Sequence, residues 1–243
     1  MSDRALQDEL IRYLSDAGAR SHPQESLPLP PAEAAKADRF AHFLARRYYR
    51  DRLVRSFRYT RPFQPQTGRL AEEIVDSPQF DAFLEQCVLG SFAAARQVGE
   101  MAVVHLDTAP HPGPWWRDLV GYEYAYFLQT ATSEPASRTR RHTRGASAFS
   151  QTFSWFLPEL LERLRSSQPL GDDLRRECTL LFSRTHRGKI FVVELEKDAA
   201  AVFRSTNGFR TPEQIASTAS VPLEAVVPLL GLFAEIGAVE PPA

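Results

Sequence analysis

Cysteine is nearly absent: Cys87 and Cys178 are the only two in 243 residues. That is too few for a disulfide framework, so buried free thiols in a reducing compartment are expected. No apolar run approaches the roughly 20 residues that span a bilayer. The opening Met1-Ser2-Asp3-Arg4 lacks a signal-peptide core, and the expected location is the cytoplasm, with no membrane contact. None of the six histidines stands three or four residues from another, and there is no His-Glu-x-x-His, Cys-x-x-Cys or Asp-rich calcium loop. His105 and His111 flank one loop and are the one weak metal candidate. Glycine is sparse at 12, with no phosphate-cradling loop and no Gly-x-Ser-x-Gly elbow. Cys178 precedes an apolar strand with no flanking base and is read as structural. No catalytic residue, no metal ligand set and no cofactor site is therefore assigned to this chain, and it is not expected to be an enzyme by itself.

What is present is an ordinary globular composition, 43% hydrophobic and 24% charged, with a net charge of −1. The length allows a sizeable core and two domains, and the balanced charge speaks against wholesale binding to nucleic acid. Helical spacing dominates the first two thirds. Residues 3–17 read as an amphipathic helix with Leu6, Leu10, Ile11 and Leu14 on one side, followed by a proline-rich connector at 21–31. A long helix over 31–57 carries an apolar stripe at Phe40, Phe43 and Leu44 that resumes at Val54 and Phe57. Seven arginines lie between Arg46 and Arg61, and at 100° per residue Arg47, Arg50 and Asp51 fall on or beside that stripe. Charges on a buried stripe need partners. Either Arg47 and Asp51 open an internal ion-pair network, or Arg46, Arg47 and Arg50 face an acidic partner or a peptide carboxylate. Short helices follow near 70–75, 78–87 and 91–106. The segment 115–129 is strongly aromatic and reads as a core helix, with Tyr122 and Tyr126 as the alternative, partner-facing pair. An arginine-bearing linker at 130–145, a piece at 149–164 with a helix from Pro158, and a polar break near 166–173 complete this part.

The last third has a different grammar. Strands at 180–185 and 190–195, joined at Arg187-Gly188, lead into a helix at 198–206 closed by Asn207-Gly208. A second helix opens at Thr211-Pro212-Glu213-Gln214 with hydroxyl cap, proline and returning glutamine. A third runs from 222 to 236 with Leu223, Val226, Val227, Leu230 and Phe233 at helical spacing. This order is that of a winged helix. The predicted fold is mainly α: a helical N-terminal domain over 1–168 and a small α+β winged-helix-like domain over 174–243. Winged helices often bind DNA, but residues 211–243 contain no Lys or Arg, and phosphate neutralisation supplies most duplex affinity. The start of the third helix offers Pro222, Glu224 and Ala225, poor partners for a major groove.

The pattern of Ile190–Leu195, Ala199-Ala200-Ala201-Val202-Phe203, Asn207-Gly208, Thr211, Ile215, Val226, Leu230, Phe233 and Gly237 resembles the leader-peptide-binding domain of ribosomally made, modified-peptide pathways. The pyrroloquinoline-quinone peptide chaperone family is the example. The resemblance covers about a quarter of the chain and rests on spacing. It implies that a peptide adds as a strand beside Ile190, Phe191, Val192, Val193 and Glu194, against Val227, Leu230 and Phe233 of the third helix. More narrowly, the arginine/tyrosine-rich helix 46–61 and the aromatic helix 115–129 make the chain similar to partner proteins of multinuclear non-haem iron oxidases, as in the thiaglutamate and methanobactin pathways. That likeness implies a heterodimer with iron on the oxidase subunit, while this chain presents the cysteine-containing precursor peptide. The competing expectation is a nucleic-acid-binding regulator using 46–61 or 138–144.

Overall fold

The computed structural model describes residues 3–21, 31–132, 142–145 and 147–240. The connector at 22–30 and most of the linker at 130–145, with Arg138, Arg140 and Arg141, lie outside the described residues. The described contacts divide the chain into two units, 1–112 and 113–243. The boundary expected near 168–174 thus falls inside the second unit.

The first unit is helical. α1 (Asp3–Ser15) and α2 (Ala17–Ser21) precede the long α3 (Pro31–Ser56), a four-residue α4 (Gln64–Thr67), a 3-10 segment (Ala71–Asp76), α5 (Pro78–Leu84) and α6 (Phe92–Asp107). Local signals set the boundaries. Ser77 and Ser91 accept N–H bonds from Phe80 and Ala94, capping α5 and α6, and Gly68 closes α4 in a left-handed conformation. α3 turns Ala41, Ala45, Tyr49 and Leu53 inward, four residues apart. Tyr49 meets the rings of Phe80 and Phe83 at 6.2 and 5.8 Å. Each such buried side chain stabilises the unit by roughly 1.5–3 kcal/mol.

The expected stripe of α3 is a single sector, but it faces outward. Phe40 and Phe43 are about half exposed and Val54 is 38% exposed, whereas only Phe57 of the named set is fully buried. The smaller Ala41 and Ala45 let neighbouring elements approach closely, so they and not the phenylalanines lie against the core. Arg47, Arg50 and Asp51 share the outer sector and need no burial. In α1, likewise, the buried ring is Tyr13, while Leu10 and Ile11 are exposed.

The second unit is α+β. α7 (Trp116–Ala131) leads through β1 (Thr143–Arg144) to β2 (Phe149–Phe153), α8 (Leu157–Arg165), β3 (Cys178–Arg184) and β4 (Ile190–Leu195). α9 (Lys197–Ser205), α10 (Pro212–Ala219), α11 (Leu223–Glu235) and β5 (Val239–Glu240) follow. The antiparallel sheet has the order β2-β3-β4, and β1 pairs separately with β5. Its first strand, β2, lies in a stretch read from sequence as an apolar piece leading into a helix. The two strands and three helices expected over 180–236 are all present within a few residues.

The sheet is covered on both faces. On one side Leu181 and Leu195 join the core of α9, α10 and α11, with Phe203, Ile215, Val226, Leu230 and Phe233. On the other, Phe182 packs against Tyr122 of α7 at 5.8 Å and against Phe149 at 5.5 Å. This explains why β3 is a nearly continuous apolar run rather than an alternating one. α10 has the anticipated capping box, with Thr211 Oγ1 accepting the Gln214 N–H and Gln214 Oε1 accepting the Thr211 N–H. α11 ends in a Schellman turn: Ala238 N–H donates to Phe233 O and Gly237 N–H to Ala234 O.

Candidate functional site

β4 is an edge strand: among the described residues it pairs with β3 alone. Its register runs from Arg184↔Ile190 to Thr179↔Leu195. At the hairpin, Thr185 N–H donates to Lys189 O at 2.9 Å, which makes that opposed pair a hydrogen-bonded one. Such pairs recur every second residue in an antiparallel ladder. Ser183/Phe191, Leu181/Val193 and Thr179/Leu195 are therefore the pairs that exchange bonds. The N–H and C=O groups of Ile190, Val192 and Glu194 point away from β3, toward the open margin.

Side chains alternate as anticipated. Phe191, Val193 and Leu195 lie on the winged-helix face, while Ile190, Val192 and Glu194 lie on the face shared with Phe182. Val193 is 38% exposed and Glu194 is exposed. Lys189 Nζ sits 4.6 Å over the Phe191 ring, covering the strand's entry. On α11 only Val227 of the three expected wall residues is open, at 55%. Leu230 and Phe233 are core, the latter 5.7 Å from the Phe203 ring. Spacing alone did not separate the inner side of this helix from the outer, because both are apolar: Leu223 and Leu232 are also exposed.

The basic helix resolves into internal pairs. Arg46 donates to Val75 O and to Asp81, with its guanidinium 5.8 Å from the Phe80 ring. Arg50 donates to both oxygens of Asp76 at 2.7 Å. Arg61 pairs with Glu72, and Arg52 and Arg58 lie over the rings of Tyr48 and Tyr59. The network reading is right in kind but not in its partners: no ion pair joins Arg47 to Asp51, and both are exposed. The carboxylates come from the 3-10 segment and α5, an arrangement that helix spacing within α3 could not reveal. Tyr122 is a core ring and Tyr126 is half-buried. The arginines and these tyrosines belong to different units.

His105 and His111 do not converge. His105 Nε2 lies 2.9 Å from Glu73 Oε2, and His111 Nε2 lies 3.1 Å from Asp107. Among the described residues no group of three or more His, Cys, Asp or Glu side chains is placed to hold a metal ion. Both cysteines are buried, and burial pushes the Cys87 thiol up to about 11 and raises that of Cys178. Scanned against protein-family models and curated proteins, the chain matches none.

Proposed function

We propose that this chain is a non-catalytic accessory protein that binds an extended segment of another polypeptide along the open margin of β4. The observation that carries the reading is the outward direction of the Ile190, Val192 and Glu194 backbone groups on a strand that has one partner among the described residues. Backbone bonds to that margin supply affinity without regard to sequence, and alternate side chains of the added strand select it. Val193 and Val227 offer apolar contact on the helix side; Ile190 and Val192 offer it on the other. The resemblance to leader-peptide-binding domains suggests the ligand, a ribosomally made precursor peptide. The likeness to iron-oxidase partner proteins suggests the setting, in which a second subunit holds the iron and oxidises the cysteine-containing end. Tethering the peptide would raise its effective concentration at that subunit.

The arginines of 46–61 weigh against the nucleic-acid alternative, since Arg46, Arg50 and Arg61 are already engaged by carboxylates. The test is a titration of a labelled short peptide encoded beside this gene against the wild type and Val192→Pro. A loss of at least tenfold with an unchanged melting temperature is expected. Equal affinity in the two proteins removes the site.

A further inference from the structure

A groove of about 840 Å³ opens in the first unit between the 3-10 segment with α5 on one wall and α6 on the other. Its volume is that of a small-ligand site. Its floor is apolar: Ile74 and Phe83 are buried beneath it, Met101 is partly exposed, and Val104 stands 63% exposed at its side. One end is charged. There Glu73 Oε2 accepts the Leu70 N–H at 3.1 Å and meets His105 Nε2 at 2.9 Å. The second acid of the lining, Glu100, pairs with Arg96 at 3.5 Å. Arg69 lines the same end, is exposed, and forms no ion pair or side-chain hydrogen bond with a described residue. Both acids are thus directly bonded, while the Arg69 guanidinium acts on Glu73 through its charge alone and keeps its N–H donors free of a described partner.

We infer that this groove binds the C-terminal end of a peptide, with the terminal carboxylate on Arg69 and apolar side chains over Phe83, Met101 and Val104. A guanidinium with free donors beside an apolar floor selects a carboxylate on an apolar body, and a planar fork suits a carboxylate in two-point contact. The rest of the lining separates a peptide from a fatty acid. Gln79, Gln86 and Gln97 reach the groove, and each carries both donors and an acceptor, which match backbone amides and have no use for an alkyl chain. From His105 back to Gln97 is eight residues of α6, about 12 Å, the reach of three to four extended residues. The inference stands apart from the β4 margin: the groove lies wholly within the first unit, and either site survives the failure of the other.

Methionine gives a local readout, since Met101 and Met1 are the only two in the chain. The full-length protein, labelled with ¹³C on its methionine methyls, is titrated with acetyl-Leu-Ala-Leu-Ala-Leu as the free acid, with the same peptide as its C-terminal amide, and with dodecanoate. The Met101 signal is expected to shift and saturate with the free acid, with the amide at least tenfold weaker. Arg69→Gln should bring the acid down to the level of the amide. Three results would overturn the inference: a Met101 signal unmoved by the acid at 5 mM, equal affinities for acid and amide, or dodecanoate binding tighter than the peptide.

Discussion

Gly237 is a residue that the second unit cannot exchange without strain. Its φ is +73°, and a Cβ there would lie 2.6 Å from Arg184 O and 2.8 Å from Thr185 Cα. The neighbouring Ile236 carbonyl accepts the Ser183 hydroxyl at 2.9 Å, so the turn cannot retreat from the strand. Gly237→Ala is expected to destabilise the protein by at least about 2 kcal/mol, read as a lower melting temperature. Glu73 makes a prediction of the opposite delicacy. Partial burial pushes its carboxyl up, but hydrogen bonds from His105 and the Leu70 N–H, with the Arg69 charge, outweigh this and hold it below the ordinary glutamate value. A carboxyl depressed in the folded state adds stability above its unfolded value and loses it as pH falls through the folded one. Glu73→Gln should therefore melt below wild type at neutral pH, with the gap closing between roughly pH 5 and pH 3.

At the scale of elements, β4 makes the sharpest contrast. Val192 directs its N–H outward and Val193 directs its own to Leu181. Proline at 192 removes a donor that the sheet does not use, whereas proline at 193 removes a ladder bond. Val192→Pro is expected to keep its melting temperature and Val193→Pro to lower it, a comparison that circular dichroism decides. This strand, its hairpin and the three helices after it were legible because turn and cap residues mark every boundary: Gly188, Gly208 and the Thr211–Gln214 box. α3 was legible as a helix but not as a surface. Its periodicity defined the sector of Phe40, Phe43, Arg47 and Val54 correctly, yet periodicity says nothing about which side meets the core. The small residues Ala41 and Ala45 did, by allowing close approach. β2 escaped because Phe149–Phe153 is five residues long and its partner strand begins 25 positions later, at Cys178. The Arg69–Glu73–His105 end of the groove escaped for the same reason, as its members meet only through tertiary packing.

At the scale of the molecule, the division at 112/113 puts the aromatic helix with the sheet. Phe182 is enclosed by Tyr122, Phe149 and Phe153, all supplied by residues before 168. A fragment beginning at 174 loses these rings and strand β2, and leaves Phe182 and Leu180 uncovered. Residues 113–243 expressed alone should melt cooperatively, while 174–243 should show no cooperative transition and should bind an apolar dye such as ANS.

The two thiols have a bearing on the accessory role proposed above. Cys87 is sealed in the first unit, and Cys178 donates to the Trp155 carbonyl at 3.3 Å inside the second. Neither offers a thiolate at neutral pH. A carrier handed a sulfhydryl-bearing cargo under oxidising turnover is in danger of being captured by it as a mixed disulfide. On the function proposed above, the scaffold is chemically silent and the bound peptide's own sulfur is the one left to react. Ellman's reagent should find no titratable sulfhydryl in the native chain and two once it is unfolded in guanidinium.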